Sequence, residues 1–314
     1  MFVRSTRGNS GNDRVTLPII HHPEYRASLH PTHRFPMSRY GYLREVLEAQ
    51  GLLSDDFAMS PDIASETMLA RAHDPEYVDR VLSGTMTDQE VRRIGLPQTE
   101  QVIRRSRFAA AGSYLAAQHA FEVGVACNAA GGSHHARREY GAGYCVFNDV
   151  AVAICALLAD DAARRFLVVD CDVHQGDGTA AIFVEDKRVV TLSIHAEKNF
   201  PFRKAVSDLD VALPDETGDA AYLVALRRAL SQVSAAGPFD LIFYNAGVDV
   251  HAEDRLGRLS LSDEGIRKRD AAVLGWAQGR GEPVVGVLGG GYGDDPIVIA
   301  ARHLILFEEA AKVL

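Results

Sequence analysis

The sequence predicts one α/β domain: a mainly parallel, multi-stranded sheet with helices on both faces. Three observations predict it. Short, almost wholly apolar runs recur along the chain, as strands buried on both faces require. Segments of helical periodicity fill the gaps, so strand and helix alternate. No linker-like stretch divides the 314 residues into two halves.

Residues 1–14 are polar and rich in Gly, Asn, Ser and Arg. They lack the apolar core of a signal peptide and read as a disordered tail before a domain spanning 15–314. Helices are expected over 38–49, 75–82 and 100–122, the second opened by Asp74-Pro75. A weak apolar run at 123–126 reads as the first strand. A helix over 148–158 leads into a strand at 166–169, and a further strand falls at 189–194. A helix over 220–235 stops at Gly237-Pro238 before a strand at 241–244. Ser262-Asp263-Glu264 opens a helix over 263–278, followed by a strand at 284–288 and a helix over 296–313.

A hydrophobic content of 47% is enough for a large core. The net charge of −9 argues against direct nucleic-acid binding and leaves room for a cationic substrate, such as a lysine-bearing peptide or a polyamine. Cys127, Cys145, Cys155 and Cys171 form no CxxC pair, which favours a reducing, cytoplasmic setting. No apolar run reaches the length of a membrane span.

Sites in open parallel sheets form outside the carboxyl ends of the strands. Each apolar run here ends in such residues. The richest end is Asp170-Cys171-Asp172-Val173-His174-Gln175-Gly176-Asp177. Three carboxylates and an imidazole are costly to bury without a counter-charge, and a divalent cation supplies one. Alternation places Asp170, Asp172 and His174 on one face. Asp249 ends another strand and completes a set of two carboxylates and one imidazole. Three protein ligands leave positions open, as catalytic sites require. The set suits Zn²⁺, and Fe²⁺, Mn²⁺ and Co²⁺ are the other metals it accepts.

The tandem pair His134-His135 follows a glycine-rich bend and offers a general base for a metal-activated water. Asp170 and Asp177 are spare carboxylates for the far ring nitrogens. A second pair, His21-His22, reads as part of a polar segment without chemistry. Gly289-Gly290-Gly291 permits close backbone approach, and the Tyr292 hydroxyl can then donate to a developing oxyanion. A phosphate loop would need a Lys-Ser/Thr ending, whereas Asp294-Asp295 follows. Gly143-Tyr144-Cys145 and Phe200-Pro201-Phe202 are aromatic loops that read equally as channel walls or as core packing.

Together these segments resemble the zinc-dependent histone deacetylase family, of the arginase–deacetylase fold, with bacterial members near the class IV branch most similar. The matching stretches run from Gly131-Gly132-Ser133-His134-His135-Ala136 through Gly141-Ala142-Gly143-Tyr144-Cys145-Val146-Phe147-Asn148-Asp149 to the Asp170 segment, Asn245-Ala246-Gly247-Val248-Asp249 and Gly289-Gly290-Gly291-Tyr292. The resemblance implies hydrolysis of acyl-lysine, in a protein or peptide or in a small acylated amine. It implies Asp172, His174 and Asp249 as zinc ligands. It pairs His134 with Asp170 and His135 with Asp177, and makes Tyr292 the residue that polarises the carbonyl. It makes Gly143, Tyr144, Phe200 and Leu256 the substrate channel. It also implies a structural K⁺ at Asp170, Asp172, His174, Ser193 and Ile194, mostly through main-chain carbonyls. Three departures stand out. Gln175 replaces a histidine common in class I. No rim aspartate is present near Arg93-Ile94-Gly95-Leu96-Pro97. Leu256 stands where polyamine-directed relatives carry a glutamate.

Overall fold

The computed structural model describes residues 16–54 and 58–314. A seven-stranded parallel sheet runs through the molecule. In chain order its strands are β1 (Ile19–Ile20), β2 (Val125–Asn128), β3 (Phe166–Asp170), β4 (Val189–Ala196), β5 (Leu209–Leu213), β6 (Leu241–Asn245) and β7 (Val284–Val287). Their spatial order is β1-β2-β7-β6-β3-β4-β5. Every residue of β2, β3, β6 and β7 is buried, so both faces of the sheet centre are covered. That is why these stretches read as unbroken apolar runs.

Ten α-helices flank the sheet among the described residues: α1 (Arg39–Ala49), α2 (Glu66–Ala70), α3 (Pro75–Leu82), α4 (Asp88–Ile94), α5 (Glu100–Val123), α6 (Asp149–Ala159), α7 (Asp177–Phe183), α8 (Asp219–Val233), α9 (Asp263–Arg280) and α10 (Pro296–Lys312). Their starts follow local chemistry. Asp74, Thr99, Asn148, Ser262 and Asp295 each accept an N–H of the first turn, relieving donors that the helix cannot satisfy.

The α/β architecture matches expectation, with corrections at the edges. The strand expected at 123–126 starts two residues later. α5 continues to Val123 and is closed by Gly124, at φ 91°, whose N–H bonds the Ala120 carbonyl. β1 and β5 were not foreseen. β1 has two residues, and β5 is an edge strand whose exposure alternates, so neither forms an apolar run. The short helices α2, α4 and α7 were also missed. The tail expected over 1–14 lies outside the described residues. All four cysteines are unpaired thiols. No described helix is long and apolar enough to cross a membrane.

Candidate metal centre

β3, β6 and β7 are neighbours, and their carboxyl ends deliver the central residues to one point. The chain leaves β3 at Asp170 and turns through 171–176 before α7 begins at Asp177. The turn carries Asp172 and His174. Asp249 comes from the loop after β6, and Tyr292 from the loop after β7. One ligand atom from each of Asp172, His174 and Asp249 lies within 4.8 Å of the others, and all three residues are buried. His174 Nδ1 stands 2.9 Å from Asp172 Oδ1 and 3.1 Å from Asp249 Oδ2.

The electrostatics of this trio fit a cation. Burial raises the Asp249 carboxyl to about 7, and the neighbouring Asp172 charge pushes the same way. Burial alone would lower His174, but Asp172 and Asp249 outweigh it and raise the imidazole to about 10. Two facing carboxylates thus hold a proton in the place where a divalent ion would neutralise them better. The donor set, two carboxylates and one imidazole, suits zinc.

The two tandem histidines differ in charge. His134 Nδ1 lies 2.7 Å from Asp170 Oδ2, and its Nε2 faces Asp172 Oδ1 at 3.7 Å. Burial opposes its charge, but these carboxylates raise it to about 9. His135 Nδ1 lies 2.7 Å from Asp177 Oδ1. Burial, with the adjacent His134, lowers it to about 4 against the pull of Asp177. Asp177 is shared, since its Oδ2 accepts from Arg137 Nη2 at 2.8 Å.

The Tyr292 hydroxyl stays protonated: burial and the nearby Asp172 and Asp249 raise it well above its ordinary value. Its ring meets His174 edge-on, centroids 6.2 Å apart, and the Tyr144 ring at 5.9 Å. A cavity of about 260 Å³ opens here, and its lining includes Gly143, Tyr144, Phe200, Leu256, His135 and Tyr292. The four expected channel residues are therefore brought together around one cavity, and Tyr144 and Leu256 also pack on the core. Phe200 stands T-shaped on His135, centroids 4.8 Å apart, and is 47% exposed. Ser193 pairs with Asp170 across β3 and β4, and Ile194 is the next residue of β4. His21 and His22 stay apart from this chemistry; His22 stacks on Phe108 at 3.7 Å and its Nδ1 accepts the Glu24 N–H.

Sequence reading missed the braces behind the site. Arg39, buried in α1, donates to the carbonyls of Gly291 at 2.7 Å and Gly289 at 2.9 Å. Arg269, buried in α9, donates to the Gly247 carbonyl at 2.5 Å and the Cys171 carbonyl at 3.3 Å, tying two ligand loops together. Asn245 donates to Asp170 Oδ1 at 3.0 Å. Asp149 accepts from the N–H groups of Gly132 at 3.2 Å and Ser133 at 2.7 Å, which fixes the bend before the histidines. Neither arginine carries a local sequence signal: Arg39 opens α1 and Arg269 lies in a helix of mixed polarity.

The model of the histone deacetylase domain family matches residues 33–306. An uncharacterised protein of Picosynechococcus sp. is 41% identical over 296 residues, covering 94% of this chain and 99% of that protein. Histone deacetylase 2 of Arabidopsis thaliana is 30% identical over 286 residues, covering 87% of this chain and 74% of that protein. A solved structure of an HDAC homolog complexed with SAHA shares the fold with a TM-score of 0.79 and 23% identity, covering 95% of this chain and 84% of that one. The chain therefore belongs to the histone deacetylase family, a family of hydrolytic deacetylases.

Proposed function

We propose that the protein hydrolyses the side-chain amide of acyl-lysine in a peptide or protein, at a zinc ion held by Asp172, His174 and Asp249. One observation carries this reading: three ligand atoms within 4.8 Å of one another sit beside two carboxylate-tethered histidines and a buried phenol at one mouth. Zinc bound there supplies charge that polarises a carbonyl and acidifies water. Tyr292 donates its hydroxyl to the amide oxygen as that oxygen gains charge. His135, neutral and donating its Nδ1 proton to Asp177, accepts the proton of the attacking water at Nε2. That proton passes to the departing lysine nitrogen as the C–N bond breaks, and the second proton of the water follows, leaving a carboxylate and an ammonium. His134, held as a cation by Asp170, adds positive charge beside the developing oxyanion. Ser193 and Ile194, with the main chain of Asp170, Asp172 and His174, form a second cation site suited to K⁺.

The interior of the site favours a short acyl group. Beyond the ligands the interior cavity, lined by Arg39, Gly132, Gly289 and Tyr292 among others, has a volume of about 20 Å³. That is room for roughly one water, which favours a small acyl group over a fatty chain there. Unpaired, mostly buried thiols fit a cytoplasmic enzyme.

Metal content and turnover on an acyl-lysine peptide series test the reading. One zinc per chain and rates falling from acetyl through butyryl to myristoyl are expected. A fully metallated protein that cleaves no acyl-lysine peptide would refute it. Faster cleavage of acetyl-polyamines than of peptides would put a small amine in place of the peptide.

A further inference from the structure

The cavity in front of the metal centre is not isolated. It shares Leu256 and Tyr292 with a second cavity of about 220 Å³, which shares Arg34 and Arg255 with a third of about 740 Å³. The three adjoin around one mouth, each sharing lining residues with the next. Among the described residues its lining carries Arg26, Arg34, Arg92, Arg93 and Arg255 against a single carboxylate, Asp294. Asp294 is already engaged by Arg255. Asp254, next to Arg255 in sequence, offsets one of the five positive charges. Its carboxylate is turned onto the N–H groups of Leu256, Gly257 and Tyr292.

This charge is opposite in sign to that of the whole chain, which is −9. Arginines with only a solubilising role would be scattered among acids, as on the rest of an acidic surface. Here they converge on the opening. Arg92 and Arg93 sit in the last turn of α4, next to Gly95, which also lines the mouth. Arg93 lies over the Tyr140 ring at 4.4 Å. Arg34 and Arg92 are exposed and make no ion pair or side-chain hydrogen bond with any described residue. Exposed guanidinium groups around a narrow opening bind carboxylates in pairs of N–H···O bonds and repel ammonium groups.

We propose that these mouth arginines select the substrate, so that the preferred one is an acyl-lysine flanked by Asp or Glu in a peptide or protein. The inference rests on the deacylase reading above and extends it to the residues around the reacting side chain. It reverses what the net charge suggests: the chain is acidic, but its mouth disfavours lysine-rich segments and polyamines.

The test uses the zinc-loaded full chain and three acetyl-lysine peptides that differ only in their flanks: Asp/Glu, Asn/Gln and Lys. The ratio of kcat/KM between acidic and neutral flanks is read in the wild type and in the triple variant Arg34→Gln, Arg92→Gln, Arg255→Gln. Reading a ratio within each protein cancels any general loss of activity. A preference of about fivefold for acidic flanks is expected at low salt, from exposed pairs of modest strength at Arg34 and Arg92, with Arg255 already sharing Asp294. It should shrink with added salt and approach unity in the variant. Equal rates on acidic and neutral flanks, or a preference that survives in the variant, would overturn the proposal. So would a preference for free Nε-acetyl-lysine over its α-amide with none among the peptides, which would indicate a small carboxylated amine. If no peptide is cleaved the deacylase reading fails by itself. Fluorescence anisotropy of the same labelled peptides then decides the role of the arginines: tighter binding of the acidic peptide, lost in the variant, supports it, and equal binding overturns it.

Discussion

Each working side chain here is defined by what occupies its far side. Tyr292 can act as the proposed donor because burial and two carboxylates keep its proton on. Tyr292→Phe keeps the ring contacts and removes that donor. It should lower kcat about 100-fold or more with a much smaller change in KM, in steady-state assays on an acetyl-lysine peptide. His73 makes a second case, away from the metal. Its Nδ1 lies 2.8 Å from the Arg137 carbonyl, and its Nε2 lies 2.9 Å from the Asn148 N–H, which donates to it. Both ring nitrogens are thus committed to the neutral tautomer, clamping the segment after the tandem histidines to the start of α6. Burial lowers this imidazole to about 4. The folded value lies below the unfolded one, so the unfolded chain binds the proton first as pH falls. Stability linked to His73 is therefore full above about pH 6.5 and is lost as pH drops toward 4, by roughly 3 kcal/mol at most. Urea unfolding at pH 7 and pH 4.5 should show a shallower pH dependence in His73→Gln than in the wild type, and equal slopes would discount the clamp.

At the scale of elements, the loops after β2 and β7 interlock because those strands are neighbours. Gly132, at φ 79°, packs on Gly289, and a Cβ at Gly132 would lie 2.3 Å from the Gly289 nitrogen. Neither loop can step aside, since Arg39 holds one and Asp149 the other. Gly132→Ala should destabilise the fold by about 1–3 kcal/mol from the dihedral alone, with further loss from the overlap. Thermal unfolding measures this, and a midpoint within a degree of the wild type would count against the interlock. The same level explains what was legible. The candidate ligands and the tandem histidines stood out because polar clusters after apolar runs are conspicuous. α4 was missed although Thr87 and Glu90 form a capping box, because its surface is polar and short. Arg39 and Arg269 were missed because their role depends on which loops the fold brings beneath them, and no local pattern encodes that.

For the molecule as a whole, the candidate metal centre is where the packing of the strands and the proposed chemistry meet. A bound divalent ion stabilises the native state by about 4 kcal/mol at a thousandfold excess over its Kd. Chelation should therefore lower the unfolding midpoint by several degrees, and zinc should restore it. The Asp249→Ala variant should show no such response, and a response equal to the wild type would mean that the ion binds elsewhere. The parallel sheet was readable because its inner strands are wholly apolar. Its order was not, since adjacency depends on crossovers that leave no mark on each strand.

That order has a consequence for how the chain acquires its structure during synthesis. β3, β4, β5 and β6 pair with one another and are complete by Asn245, whereas β1 and β2 join them only through β7, at Val284–Val287. On the ribosome, β2 and β6 must each wait with an unpaired edge until the last strand emerges between them. β7 is a keystone delivered late, and the active site is closed only when it is set.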